Sequence, residues 1–374
     1  LNSVGESVLQ IAPNAAAAYS LRSLTGGDPK VVRVRRDTDN AEQDFTASGI
    51  SSGALVDFAT SGNGVFANTG YESFTNASAS GFTASNTGST GFAVSDILDG
   101  VSGDAVLVSF DIDITNGSPS ISLRNALSGG AVASNSVNYT SSGSKTATLT
   151  ATGSYVGVGF TEGDAPSSFT VSNFKVLGNG FVETWYDQSG NGRNAVQATA
   201  GSQPKIVNSG SLVVLSGVPA LSFDGSSDLF TVTGFAFSPS GDFLAVTVSK
   251  ISNGNLIDTR DGGGDGFFLQ QGSTFRHRYN GDGAINISGN DQHIVATSEL
   301  NGTTLTAYKN GASAGTDTVT AGLSTTTNTT IGRVSFTAVN YVAGSIQEII
   351  LYDADKSANR ATLETNIINH YGIS

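Results

Sequence analysis

The chain has 374 residues, of which 38% are hydrophobic and 13% charged, with a formal charge of −13 and no cysteine. Its apolar residues fall in short runs, so no helical membrane span is expected, and disulfides and thiolate metal sites are excluded. The acidic balance argues against a nucleic-acid partner, which needs a cationic face.

Gly, Ser, Thr and Asn take the place of charges, and aromatic and β-branched residues are scattered evenly. Such a chain is expected to form sheet with many tight turns. With no Met present, Leu1 is expected to follow a removed leader or to lie inside a longer protein. Residues 1–11 lack the basic and apolar regions of a signal peptide.

In chain order, Ala12–Leu24 carries Asn14 as a cap, four alanines and an apolar edge of Ala18, Leu21 and Leu24. This predicts a short helix ended by Gly26-Gly27. The basic run Val32–Arg36 is followed at once by Asp37, Asp39, Glu42 and Asp44, and reads as a solvated, self-neutralising strand edge. Between about residues 64 and 178 the texture changes. Val106–Ile114, Lys145–Thr150, Tyr155–Phe160 and Phe169–Val176 alternate at period two between Ser, Gly and Asn turns, as in a β-sandwich inserted into the rest.

The only tryptophan, Trp185, ends a strand and opens a polar hairpin. Asp187, Ser189 and Asn191 stand at positions 1, 3 and 5 of a calcium-loop spacing with Gly192 at 6, but position 12 is Ala198 rather than Glu. Two readings stay open: Ca2+ held by these three residues, or a turn in which the Asp187 carboxylate accepts backbone N–H bonds. Further strands are expected at Pro219–Phe223, Asp242–Lys250, Asn255–Thr259, Gly266–Gln271, Thr274–Tyr279, Gln292–Leu300, Thr303–Lys309, Thr329–Val334 and Gly344–Tyr352, with Asn-Gly turns at 280, 301 and 310. His277, between two arginines, reads as a surface residue of its strand. A closing helix follows Ser357, with Leu363, Ile367, Ile368 and Tyr371 in one stripe and Gly372 as its stop.

The run Trp185-Tyr186-Asp187-Gln188-Ser189-Gly190-Asn191-Gly192, followed by Val218-Pro219-Ala220-Leu221-Ser222-Phe223-Asp224-Gly225, resembles the arabinofuranosidase-B-like branch of the concanavalin-A-like (laminin-G-like) jelly rolls. That branch holds fungal arabinofuranosidases and bacteriophage tail and virion-surface proteins. Ala18–Leu24 and Val34–Phe45 resemble the block that precedes this run in the phage members. The resemblance implies an all-β fold: a concanavalin-A-like jelly-roll sandwich with a second, inserted β-sandwich and short N- and C-terminal helices. Residues 1–63 would form the arm and first strands, 64–178 the insert, and 179–374 the main jelly roll.

A retaining arabinofuranosidase needs two carboxyl groups about 5 Å apart. The resemblance sets the nucleophile position near Phe267, in a strand without Glu, and the acid/base position at Ile331–Ser335, again without a carboxylate. The expectation is therefore a non-enzymatic bacteriophage virion protein, of the tail, a fibre or the capsid surface, without a required cofactor. Its partners would be other virion proteins, copies of itself and a host-surface glycan, with no nucleic acid and no membrane. Phe267, Gln270, Gln271, Phe275, Tyr279 and Asp265 are the expected glycan-binding residues, through ring stacking and amide hydrogen bonds. The alternatives are a glycoside hydrolase using Asp258/Asp265 or Asp224/Asp228, and a bacterial secreted adhesin or surface-layer component.

Overall fold

The computed structural model describes residues 6–62, 64–88, 90–162, 166–237, 241–260, 266–271, 274–279, 283–287, 291–319 and 327–374. The fold is all-β: a jelly-roll sandwich, an inserted sandwich and a few short helices. The centre of the main unit is the strand Phe243–Asp258, sixteen residues long. Its first half pairs with Ile294–Asn301, its last residues with Phe267–Gln271, and its other edge with Ala343–Tyr352 and then Thr329–Ile331.

Ser252-Asn253-Gly254 reads as a break in the sequence, yet the strand passes through it on bulges. A bulge bends a strand without ending it, and it often needs a residue free of Cβ. Gly254 supplies that: its φ is +107°, and a Cβ there would stand 2.3 Å from the Tyr341 carbonyl oxygen.

Phe223, Phe230, Phe243, Phe267, Tyr279 and Ile349 fill the inside of the sandwich. A second apolar layer covers the outside of one sheet. There Leu363, Ile367 and Tyr371 of the helix Ser357–Tyr371 meet Val246, Val248, Val295 and Ile350, with Val8 of the small helix Val8–Ile11 beside them. Gly372 ends the long helix at φ 62°.

The alanine run does not form the expected helix. Ala17–Ser20 is a strand paired to Ala343–Tyr352, with Ala17 opposite Leu351 and Ser20 opposite Glu348. Helix propensity is worth tenths of a kcal/mol per residue and yields to tertiary pairing. Here the Trp185 hairpin enforces the extended form. The Ala18 N–H donates to Asp187 Oδ1 (2.9 Å), the Gln188 amide donates to the Ser20 and Arg22 carbonyls (3.1 and 3.0 Å), and Leu24 N–H donates to Gln188 Oε1 (2.8 Å).

The basic run is an interior strand, not an edge. Lys30–Arg36 pairs on both sides, with Gly180–Trp185 and Glu42–Thr46, and buries Val31, Val32 and Val34. Lys30, Arg33 and Arg36 are neutralised nearby, through Arg33–Glu42 (2.9 Å), Lys30–Asp44 (2.7 Å) and Arg36–Asp39 (2.5 Å).

Between Ala67 and Val176 lie two five-stranded antiparallel sheets. They enclose their own core, in which Phe66, Phe82, Phe110, Phe160, Phe169 and Phe174 meet mostly edge to face. At the junction with the main unit, Asp37 accepts from both the backbone N–H and the side-chain amide of Asn179 (2.8 and 2.6 Å).

Candidate functional site

The two stretches singled out by the resemblance come together in space. At the end of the central strand, Ile257 pairs with Leu269 on one side and with Ile331 on the other, while Asp258 lies between Phe268 and Thr330. Antiparallel pairing thus sets the Phe267 strand and the Ile331–Ser335 segment on either side of one acid, Asp258.

That acid is fully buried and fully engaged. Its Oδ1 accepts from the Arg260 N–H (2.9 Å) and from the Ser335 hydroxyl (2.9 Å). Its Oδ2 accepts from the Asn255 amide (2.6 Å) and from Arg260 Nε (3.0 Å), and Arg260 Nη2 closes the ion pair. A carboxylate with both oxygens bound in this way is a structural anchor; it has no lone pair directed outward for attack on a ligand.

Outside the anchor the surface is aromatic and cationic. The Arg260 guanidinium lies 5.5 Å from the centre of the Phe336 ring, and that of Arg333 lies 5.8 Å from the Tyr341 ring. Phe336 is 48% exposed and Val339, on the same loop, 46%. Arg333 Nε is buried without a hydrogen-bond partner among the described residues. An exposed ring with guanidinium groups beside it is a combination that can hold sugar rings, by stacking on one face and hydrogen bonds at the edge.

The platform expected from sequence is different. Phe267, Phe275 and Tyr279 are 0–2% exposed. Their rings face the core: Phe267 packs against Phe237 and Phe243 at 5.3 Å, and Tyr279 stacks on Phe243 at 5.5 Å. These rings cannot stack on a sugar, and that expectation is corrected: they are the inward residues of two alternating strands. Gln270, on the other face, is half-buried and opposite Arg276. Asp265 and the Gln271 side chain lie outside the described residues. His277 is also inward, not at the surface. It is fully buried, its Nδ1 meets the Ser298 hydroxyl, and burial pushes its pKa down to about 3.

At the hairpin, Asp187, Ser189 and Asn191 do come together, as a turn. The Asp187 carboxylate accepts from the N–H groups of Ala18, Ser189 and Arg193 (2.9, 2.9 and 3.0 Å) and from the Ser189 hydroxyl (2.7 Å). The Asn191 amide nitrogen donates to the Ala15 and Ala16 carbonyls. Donors converge on the carboxylate where a Ca2+ site would need acceptors, so this donor set does not fit the ion.

Asp224 and Asp228 also meet. Asp224 accepts from the N–H groups of Ser226, Ser227 and Asp228 and from both serine hydroxyls. Burial pushes its carboxyl up, but the Ser226 and Ser227 hydrogen bonds outweigh this and hold it well below the usual range. Burial, with the Asp224 charge beside it, pushes Asp228 up to about 7. Gly332, at φ +100°, lets the two regions pack: a Cβ there would come within 2.9 Å of the Asp228 carbonyl oxygen.

No protein-family model matches the chain, and no curated protein matches it. Among solved structures it is similar to a GH54 α-L-arabinofuranosidase soaked with a cyclic sulfate inhibitor, at 9% identity and a TM-score of 0.50 over 97% of this chain and 65% of that one. It also matches a mutant Trypanosoma rangeli sialidase with trans-sialidase activity (14% identity, TM-score 0.37, 50% of this chain and 31% of that one). A third match is the binding domain of botulinum neurotoxin serotype D (11%, 0.36, 49% of each). The chain spans less than two thirds of each of these. The first likeness shows the fold.

Proposed function

We propose that this chain is a non-catalytic, glycan-binding jelly-roll protein of a bacteriophage virion, carried on the tail, a fibre or the capsid surface. It attaches to other virion proteins, assembles with copies of itself and contacts a host-surface glycan during adsorption. It needs no cofactor, nucleic acid or membrane. The observation that carries the reading is the state of Asp258. The acid at the meeting point of the two expected catalytic positions is locked to Arg260, Asn255 and Ser335, whereas a retaining glycosidase needs a free pair. The arabinofuranosidase-like fold supports a carbohydrate ligand, and the phage assignment rests on the motif resemblance in Ala18–Leu24 and Val34–Phe45. Weak single sites would act together through multiple copies.

The glycan is assigned to the surface formed by Phe336, Arg260, Arg333 and Tyr341. Phe336→Ala is expected to weaken binding to the best-bound glycan of a bacterial polysaccharide array about three- to tenfold, the worth of one ring contact. Thermal stability should not change, because the ring is half exposed. Unchanged binding by the variant would remove this surface from the proposal.

A further inference from the structure

A second cleft lies on the outer face of the same sandwich. Its floor is one cross-strand row: Arg35 is opposite Phe181, Phe181 opposite Lys205, and Lys205 opposite Ser222. Arg35 and Lys205 lie over the Phe181 ring, 4.9 and 5.7 Å from its centre. The Ala200–Gln203 turn makes one wall and the Asp224–Asp228 turn the other, enclosing about 500 Å³. That is within the range of small-ligand sites.

The lining has one under-used group. Asp228 is 7% exposed, and the one hydrogen bond its side chain makes among the described residues is from Asp224 N–H to Oδ2 (2.9 Å). The other oxygen is left for the cleft. Arg35 binds neutral partners, Gln203, Asn40 and the Ala200 carbonyl, and Lys205 binds Asn208. The charged groups around Asp228 are Asp224 and Lys205, with Arg35 across the floor. Asp224 is satisfied by five donors of its own turn. Asp37 and Glu42 also act on Arg35 from outside the lining; with Asp228 neutral, the lining itself holds two cations and one compensated anion.

We infer that this cleft binds a monoanionic sugar, a uronate residue, whose carboxylate sits between Arg35 and Lys205 and beside the carboxyl oxygen that Asp228 leaves open to the cleft. The inference does not depend on the reading of the Asp258 end. Since the Asp228 carboxyl is held at about 7, it donates below that pH. Above it the group becomes a second anion opposing the ligand. Affinity then falls as the competent fraction falls, about tenfold per pH unit beyond the midpoint.

The test is calorimetry of the full chain with galacturonate, trigalacturonate, glucose and inorganic phosphate at pH 6 and pH 8.5. Uronate is expected to bind at pH 6 and at least about tenfold more weakly at pH 8.5. Asp228→Asn, which keeps a donor, should bind alike at both pH values, and Lys205→Met should bind about fivefold or more weakly at pH 6. Tighter binding of trigalacturonate identifies a polysaccharide source; equal binding of the monomer identifies a free sugar acid. Either supports the site. Absence of uronate binding at pH 6, equal binding of glucose or phosphate, or an unchanged pH response in Asp228→Asn overturns it.

Discussion

Arg260→Ala is expected to destabilise the protein by about 3–5 kcal/mol, the usual cost of removing one partner of a buried ion pair. Asp258 is fully buried and Arg260 is its only cationic partner among the described ion pairs. The Asn255 and Ser335 bonds remain in the variant, but two neutral donors do not balance a full charge out of water. Urea unfolding followed by circular dichroism measures the loss. Adding Asp258→Asn to the Arg260→Ala background should recover part of it, because the unpaired charge is then gone. If the double variant is no better than the single one, Asp258 is not the group that makes Arg260 costly to lose. The account of the anchor would then fail.

Trp185→Ala should cost about 3–5 kcal/mol, the range for deleting a large core aromatic. Trp185 is fully buried, between Tyr19 at 5.7 Å and Phe230 at 6.2 Å. Its effect extends beyond the cavity. The residues that follow it, Asp187 and Gln188, hold Ala17–Ser20 in place through the bonds given above, and that strand in turn pairs with Ala343–Tyr352. Trp185→Phe should retain most of the stability, since the indole N–H has no partner among the described residues to lose. Thermal unfolding of the two variants separates the readings: a loss in Phe as large as in Ala would mean that the ring's polar edge, not its bulk, is what matters.

The elements most legible in the sequence were those whose patterns depend on local chemistry. Period-two alternation located four strands of the insert, and the helical stripe of Leu363, Ile367 and Tyr371 located the closing helix. Two of the failures share a cause: a long-range contact decided against a local preference. Ala17–Ser20 is extended because Asp187 and Gln188, some 170 residues away, hold its backbone. Ser252-Asn253-Gly254 stays in a strand because Tyr341 packs on Gly254. Phe267, Phe275 and Tyr279 lie on the inward beats of their strands, and His277 shares that face; the alternation itself held this information. Phe336 was missed because a single Phe in a Ser/Thr/Asn loop has no pattern, and only its exposure marks it. The role of Arg260 follows from burial of Asp258, which spacing alone does not reveal.

The measurement that bears most directly on the central claim is product analysis. Bound polysaccharides from the array, together with arabinan, would be incubated with the purified full chain and assayed for new reducing ends by mass spectrometry. The account predicts retention of the glycan with no new reducing ends over the protein-free control. Release of sugar that is abolished by Asp258→Asn or Asp265→Asn would contradict it, and would make this end of the sandwich a hydrolase site.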